Sequence, residues 1–388
     1  MLTRRIVGEV GELEGLRPEW EALLARSAAD EPALAPDWIL TWWKVFGDEG
    51  GRALRVLTLW QGRELVGLVP LLSRVVSYPP GIPFRRLELL ASGEPEDDEI
   101  CSEYVGIIAA RDAESAVAES FADAASRGEL GPWSEILLPA MDGDRELVSM
   151  VKEAFECRGA NVSVASGTGA PYVPLAGSWE AYLQALGSRR RYFVRKSLRA
   201  FEAWAGAAPA LTIATTRVEL DRARKTLLRL HAERWAAADR RGVFESSRFR
   251  EFHDRMMPQL LDRGALQLGS LDVQGEPVAA FYNLVWNGKT YFYQSGRRTD
   301  VPAHLRPGIV MHACLIRHAI EQGQREYDFL AGMARYKLDL ALEVRDVISL
   351  RIARPSLAEA TRRAAEYVIG RARSLRRTAI TTSSRPSR

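Results

Sequence analysis

The chain has 388 residues, 47% of them hydrophobic, which is long enough for two domains with a core each. A formal net charge of +3 argues against a global nucleic-acid-binding field and leaves only local basic clusters to weigh. No apolar run approaches the roughly 20 residues of a membrane span, and MLTRRIVGEVGELEGL has glutamates where a secretory signal needs a greasy run. Cys101, Cys157 and Cys314 lack CxxC or Cys/His spacing, so a cytoplasmic protein without disulfides or metal is expected.

Two helices open the chain, entered through Pro18 and Pro36, where a first turn tolerates proline, and Gly47 ends the second. Two β-rich runs around Gln61–Gly62 predict a hairpin. A proline-rich loop (YPPGIPF), a strand near RRLELLA, an acidic loop (EPEDDE) and the short strand YVGII follow. Helices and strands then alternate to about residue 166, a complete α/β unit. The run SGTGAPYVPLAGS is rich in Gly, Ser and Pro and lacks periodicity, which puts a domain boundary near Gly169.

The second half begins with three helical stretches and continues with a three-strand meander whose turns are Gln274–Gly275 and Asn287–Gly288. The loop RRTDVPAHLRP leads into a helix from Gly308, then the strand REYDFL and a last strand, DVISLRIA. The hairpins LRVLTLWQGRELVGLVPLL and LQLGSLDVQGEPVAAFYNL share an order of strand, polar Gly turn and apolar strand, so the second half reads either as a duplicate of the first or as one more ordinary hairpin. From Ser356 the chain reads as a solvated basic helix dissolving into a Ser/Thr/Arg end, with peripheral contact to anionic lipid as the alternative.

Candidate chemistry concentrates in the second half. The first-turn amides of the helix starting at Gly308 have no intrahelical partner and, with the helix dipole, attract an anion such as phosphate; Arg306 adds charge. Asp328 on a largely apolar strand must be paired, with Arg335 or Lys337 as partners, or used. Tyr336 and Lys337 follow that strand, where a phenol or ammonium can protonate a leaving group or steady an oxyanion. Tyr282, Tyr291, Tyr293 and Trp286 read as core or channel lining. Arg191 and Arg195, with interleaved aromatics, read as a phosphate-holding or a solvated basic face. His231 and Trp235 stand one helical turn apart as a minor candidate base and neighbour, His304 precedes Gly308, and His312 and His318 read as structural. Trp38 and Trp42, at helical spacing, suit core better than a sugar-stacking surface.

The segments RRRYFVRK, LHAERW, GEPVAAFYNLVWNGKTYFYQSG, the RPG helix start and GQREYDFLAG followed by YK resemble the GNAT-fold acyltransferases of the CelD/BcsL group, associated with cellulose and exopolysaccharide biosynthesis. A more distant similarity is to the Fem-type aminoacyltransferases. With PDWILTWWKVFG and LVGLVPLL in the first half, the resemblance spans most of residues 16–353. It implies an α/β fold of tandem GNAT-like domains, each a mixed, largely antiparallel sheet flanked by helices. The expected units are 1–169, 170–355 with the donor site, and the tail 356–388.

The resemblance further implies transfer of an acyl group from acetyl-CoA or another acyl-CoA to an amine or hydroxyl of a small-molecule or sugar-linked acceptor. Arg306, Gly308, Ile309 and Val310 would form the phosphate site, and Tyr293, Ser295 and Gly296 would lie along the pantetheine. Asp328, Tyr336 and Lys337 are the catalytic candidates; Arg191, Arg195, His231, Trp235 and Tyr282 are the substrate-binding ones. The GNAT phosphate signature, with its second small residue two positions after the glycine, is not met in RPGIV. An aminoacyl-tRNA donor, or a decayed scaffold of a polysaccharide system, therefore stands beside the acyl-CoA reading.

Overall fold

The computed structural model describes residues 2–367. The first half runs β1 (Thr3–Val7), α1 (Val10–Gly15), α2 (Arg17–Arg26), α3 (Pro36–Phe46), β2 (Ala53–Leu54), β3 (Val56–Gln61), β4 (Glu64–Val69), β5 (Leu71–Tyr78), β6 (Ile82–Leu89) and β7 (Ile108–Ala109). It continues with α4 (Glu114–Ser126), β8 (Glu135–Asp142), α5 (Glu146–Glu156) and β9 (Asn161–Ser166). Then come β10 (Ala170–Pro174), α6 (Trp179–Ala185), α7 (Ser188–Ala205), β11 (Ala210–Ile213), α8 (Arg217–Ala236), α9 (Ser247–Asp262), β12 (Leu266–Val273) and β13 (Glu276–Trp286). The chain ends through β14 (Lys289–Arg297), α10 (Pro307–Glu321), β15 (Glu326–Asp328), α11 (Arg335–Leu340), β16 (Glu343–Arg345) and β17 (Val347–Ala353).

The second half forms one seven-stranded sheet in the order β11-β12-β13-β14-β15-β10-β16. The first half splits between a four-stranded sheet, β1-β3-β4-β7, and a six-stranded one, β2-β5-β6-β8-β17-β9. β2 and β3 are a single run interrupted at Arg55, and β4 and β5 a single run interrupted at Pro70, which lacks the N–H a central ladder requires.

The two halves therefore repeat one plan. Each has an antiparallel meander, then one parallel pair, β6 with β8 and β14 with β15, joined through a helix, α4 or α10. In each, the strand beyond the parallel pair is not its neighbour in sequence: β17 lies between β8 and β9, and β10 between β15 and β16, antiparallel to both neighbours. Periodicity alone could not show this permutation, because it is written in long-range pairing.

Several expectations are corrected accordingly. The strand Val347–Ala353, expected within 170–355, completes the sheet of the first half, where Leu350 and Ile352 are fully buried. The aperiodic run around Gly169 contains β10, whose pattern is masked by Pro171 and Pro174. The loop YPPGIPF shrinks to a turn, since Tyr78 already pairs with Ile82. YVGII contributes only Ile108 to the two-residue β7. β1, β11 and β16 were not foreseen, being short and hydrogen-bonded to distant partners.

Residues 357–367 are helical and mostly exposed, with one face docked: Glu359 and Arg362 are buried, and Glu359 bonds Arg351 of β17 at 2.7 Å. The rest of the expected tail lies outside the described residues. Among those described, no helix is long and apolar enough to cross a membrane. Trp38 and Trp42 are buried in the core, their indole N–H groups donating to Ser102 Oγ and Glu94.

Candidate active site

β14 pairs with β13 along its length but with β15 only over Lys289–Tyr291, opposite Glu326–Asp328. Beyond those pairs the parallel ladder stops. Phe292 to Arg297 thus carry no ladder on that side, and the strands leave a gap there.

α10 begins beside the gap. Its N-cap, Arg306, is held in the left-handed region (φ 50°, ψ 58°), and no side chain caps the first turn. Val310 N–H donates to Arg306 O at 3.1 Å, so the amides left over in the first turn are those of Gly308 and Ile309. A Cβ on Gly308 would meet nothing within 4 Å, so the glycine opens this turn to the cavity.

A cavity of about 250 Å³ occupies this corner, lined by Ser295, Gly296, Pro307, Gly308, Ile309, His312 and Tyr336 together with Arg234, Arg297 and Arg306. That is smaller than the roughly 300–1,000 Å³ of a whole small-molecule pocket. It suits one charged portion of a larger ligand. Arg234 donates to Ser295 Oγ at 3.1 Å, Arg297 reaches only the Arg298 carbonyl, and Arg306 lies 4.8 Å above the Phe193 ring. None of the three guanidiniums forms a salt bridge among the described residues. Concentrated positive charge beside bare helix amides is an anion cradle.

His312 stands one turn into α10, its Nδ1 3.1 Å from Tyr327 Oη and its ring stacked on Tyr336 at 5.3 Å. Burial, reinforced by the charges of Lys337 and Arg234, pushes its pKa down to about 3, so the ring is neutral. Burial raises the Tyr336 phenol, opposed by the Arg234 charge, and the group stays protonated.

The remaining sequence-selected residues are placed elsewhere. Asp328 is fully buried, its Oδ2 accepting from Arg345 and from Tyr104 Oη at 2.8 Å each. Its partner is therefore Arg345, not Arg335 or Lys337. Lys337 Nζ donates to the carbonyls of Leu330 (3.0 Å) and Ala331 (2.6 Å), bracing the segment after β15. Val310 is core, and its amide is already used.

Tyr293 points away from the cavity, bonded to His253 Nε2 at 2.9 Å and to the Ile100 carbonyl, and Tyr282 bonds the other nitrogen of His253. Ser295 does face the cavity. Gly296 lines it too, but its lack of a Cβ serves packing, because that atom would fall 2.3 Å from the His231 amide of α8.

His231 is buried and accepts at Nε2 from Trp235 Nε1 at 2.9 Å; burial first, then Arg234, lower its pKa to about 4. It is a structural ring, with Trp235 flanked by Arg234 and Arg240. Arg191 bonds Gln184 Oε1, and Arg195 is exposed; neither lines the cavity. His304 is exposed on the loop before α10.

Three contributors were missed: Arg234, Arg297 and His312. Two had a signal. Arg297 is two residues from Ser295 on the same strand face, and His312 is four residues from Gly308 on the same helix face. Among the described residues no cluster of His, Cys, Asp or Glu could hold a metal ion.

Residues 188–338 match the acetyltransferase (GNAT) domain family. A comparison with curated proteins gave no match. Among solved structures, the chain is similar to the C-terminal domain of a putative lysylphosphatidylglycerol synthetase from Agrobacterium fabrum, at 11% identity over 91% of this chain and 96% of that one, TM-score 0.52. It is also similar to L-PGS from Bacillus licheniformis, at 14% identity over 91% and 96%, TM-score 0.50. A third is a conserved protein of unknown function from Bacteroides thetaiotaomicron, at 10% identity over 91% and 100%, TM-score 0.50. At such identities the likeness is one of fold. The architecture is a tandem of GNAT-like α/β halves with mixed, largely antiparallel sheets flanked by helices.

Proposed function

We propose that the second half binds an acyl-CoA and that the protein transfers its acyl group to an amine or hydroxyl acceptor. The observation carrying this reading is the coincidence of the interrupted β14/β15 ladder with an uncapped α10 N-terminus ringed by three unpaired guanidiniums. Arg234, Arg297, Arg306 and the amides of Gly308 and Ile309 suit a diphosphate, and the unladdered edge of β14 suits an amide-bearing arm. The thioester supplies the activated acyl group. Tyr336, a neutral phenol lining the same cavity, is the proposed donor of a proton to the leaving thiolate, and His312 positions it by stacking. The resemblance to the CelD/BcsL group adds an exopolysaccharide setting to the proposal, and the cytoplasmic location expected from the sequence is kept as part of it.

Titration calorimetry with acetyl-CoA tests it. Binding in the micromolar range, weakened at least tenfold by Gly308→Glu in a folded protein, is the expected result; no binding at millimolar acetyl-CoA overturns it. One observation favours a second reading, an aminoacyl-tRNA donor: a groove lined by Arg189, Arg190, Phe193 and Arg335 adjoins Arg306 through Phe193. Salt-sensitive tRNA binding without acetyl-CoA binding would select that donor. A chain that binds neither would be a scaffold.

A further inference from the structure

Because the halves share one plan, the first half should own a cleft like that of the second, at the end of its parallel pair β6/β8. The ladder there also covers only three residue pairs, Arg86–Glu88 against Glu135–Leu137. The helix that follows is different in kind. α4 places Glu114 in its first turn, so a carboxylate stands where an anion would have to bind. The first cleft is not a second donor site.

It opens instead into a cavity of about 590 Å³, walled by the segment after β6, the end of β8, the loop around Cys101 and, from the second half, Ala331. Its charge is opposite to that of the donor cradle. Arg74 and Arg86 are neutralised by Glu88, at 2.8 and 3.6 Å, and Arg86 also holds Glu135 at 2.8 Å. Glu94, Glu99 and Glu103 line the same cavity and form no salt bridge among the described residues. Glu88, only 1% exposed, spends both oxygens on Arg74, Oε1 on its Nε at 2.8 Å and Oε2 on its Nη2 at 3.0 Å.

Glu103 stands at the junction with the donor side. Its Oε2 accepts from the Ala331 amide, while Oε1 has no hydrogen bond among the described residues. The Ala331 carbonyl is held by Lys337, the neighbour of Tyr336 in the donor cavity. The segment Leu330–Ala331, just after β15, therefore lies between Glu103 and Lys337, one residue along the chain from Tyr336.

We propose that the first-half cleft is the acceptor site, that the acceptor carries a protonated amine, and that Glu103 removes the proton which the nitrogen must lose. This rests on the second half being the acyl-CoA site. A hydroxyl acceptor is neutral and gives the half-buried Glu94 and Glu103 carboxylates nothing to compensate their desolvation, whereas an ammonium does. Burial is also the main cause raising Glu94 and Glu103, an effect that a cation bound beside them opposes.

Glu103 takes one proton from the ammonium, and the neutral nitrogen attacks the thioester carbonyl. The C–N bond forms and the C–S bond breaks. The thiolate takes the Tyr336 proton, and Tyr336 recovers the second nitrogen proton directly or through water. Amide and thiol leave, and Glu103 returns its proton to solvent.

Calorimetry on the full chain without donor tests the cleft, with the diamine cadaverine as probe and pentanediol as its neutral counterpart. Cadaverine should bind and pentanediol should not. At about pH 9, where the Glu103 carboxyl is ionised, Glu103→Gln, which keeps an acceptor for the Ala331 amide, should weaken cadaverine about tenfold, and Glu99→Gln on the exposed rim a few-fold. Equal affinity for diamine and diol, no diamine binding, or unchanged affinity in both variants overturns the proposal. Acetyl-CoA titrated into the same proteins separates the two ideas. If it binds both wild type and Glu103→Gln while cadaverine fails, the acceptor assignment falls alone; if cadaverine binds and acetyl-CoA does not, the donor reading falls.

Discussion

Arg345 Nη1 lies 2.8 Å from Asp328 Oδ2 in the seam between the two halves. The same guanidinium reaches Glu326 at 3.0 Å and, across the seam, Asp142 of β8 at 3.6 Å, while Tyr104 of the first half donates to Asp328. β15, which ends where its ladder with β14 stops, is thereby bolted to the first half. Burial pushes Asp328 up to about 7 although Arg345 pulls the other way, a sign of how dry the seam is. Arg345→Met should cost roughly 3–5 kcal/mol, because it strands buried carboxylates rather than merely losing a contact. Arg345→Lys should not restore the loss, since one ammonium cannot reproduce the fork that meets both Asp328 and Glu326. Urea unfolding checks both; a change below about 1 kcal/mol would show that the seam does not depend on this group.

The anion cradle makes a graded prediction. Arg234→Gln and Arg297→Gln should each weaken acetyl-CoA by roughly tenfold, about 1.4 kcal/mol apiece. Arg191→Gln, whose guanidinium only meets Gln184, should leave affinity unchanged. Equal losses from all three would mean a diffuse field and not a cradle.

β17 predicts an unusual truncation phenotype. Ending the chain before Val347 removes no residue of the second-half sheet yet takes the strand between β8 and β9 out of the first. The first half should then lose cooperative unfolding, read by circular dichroism during a thermal scan. Leu350→Ala, at a fully buried position of that strand, should cost about 2–5 kcal/mol. A truncated chain that melts like the whole one would contradict the pairing.

These particulars show what was legible in the sequence. The meander 266–297, the Asn287–Gly288 turn and the helix after Arg306 were readable because each depends on local pattern, period 2, a positive-φ turn and a Pro-Gly start. β10 and β17 were not, because their identity lies in partners far along the chain. In the site, Arg306 and Gly308 could be found from helix-start chemistry. Arg234 could not, since only the packing of α8 against Gly296 brings it there. Asp328 shows the same limit: a buried acid on an apolar strand signals a partner but not which one, and here it is Arg345, which lies 17 residues on.

Glu103 fixes the expected pH dependence. Burial is the main cause lifting it to about 8; Asp328 and Glu99 push the same way, and the Ala331 amide and Lys337 oppose. A base must be ionised to act, so kcat/KM should rise with pH through about 8 and level above it. In Glu103→Gln that limb should vanish, leaving only the acceptor amine's own titration. The stability sign is the reverse of the activity sign. A carboxyl raised above its ordinary 4.5 holds its proton more tightly in the folded chain, so it favours folding at low pH and loses that contribution as pH rises through about 8. A pH–rate profile identical in wild type and variant would remove Glu103 from the mechanism.

Tyr336 supplies the last test, because its proposed role separates chemistry from binding. The phenol lines the donor cavity and is stacked at 19° on His312, whose ring Tyr327 fixes from the other side. Tyr336→Phe keeps the ring and the stack and removes only the transferable proton, so kcat should fall roughly 100-fold with acetyl-CoA affinity nearly unchanged. His312→Phe keeps a flat ring but loses the Tyr327 bond that orients it. It should therefore lower kcat less, and partly through altered placement of Tyr336, visible as a shifted tyrosine ring resonance. If Tyr336→Phe weakens acetyl-CoA binding as much as it lowers kcat, the phenol is a binding group, and the proton for the thiolate must come from water.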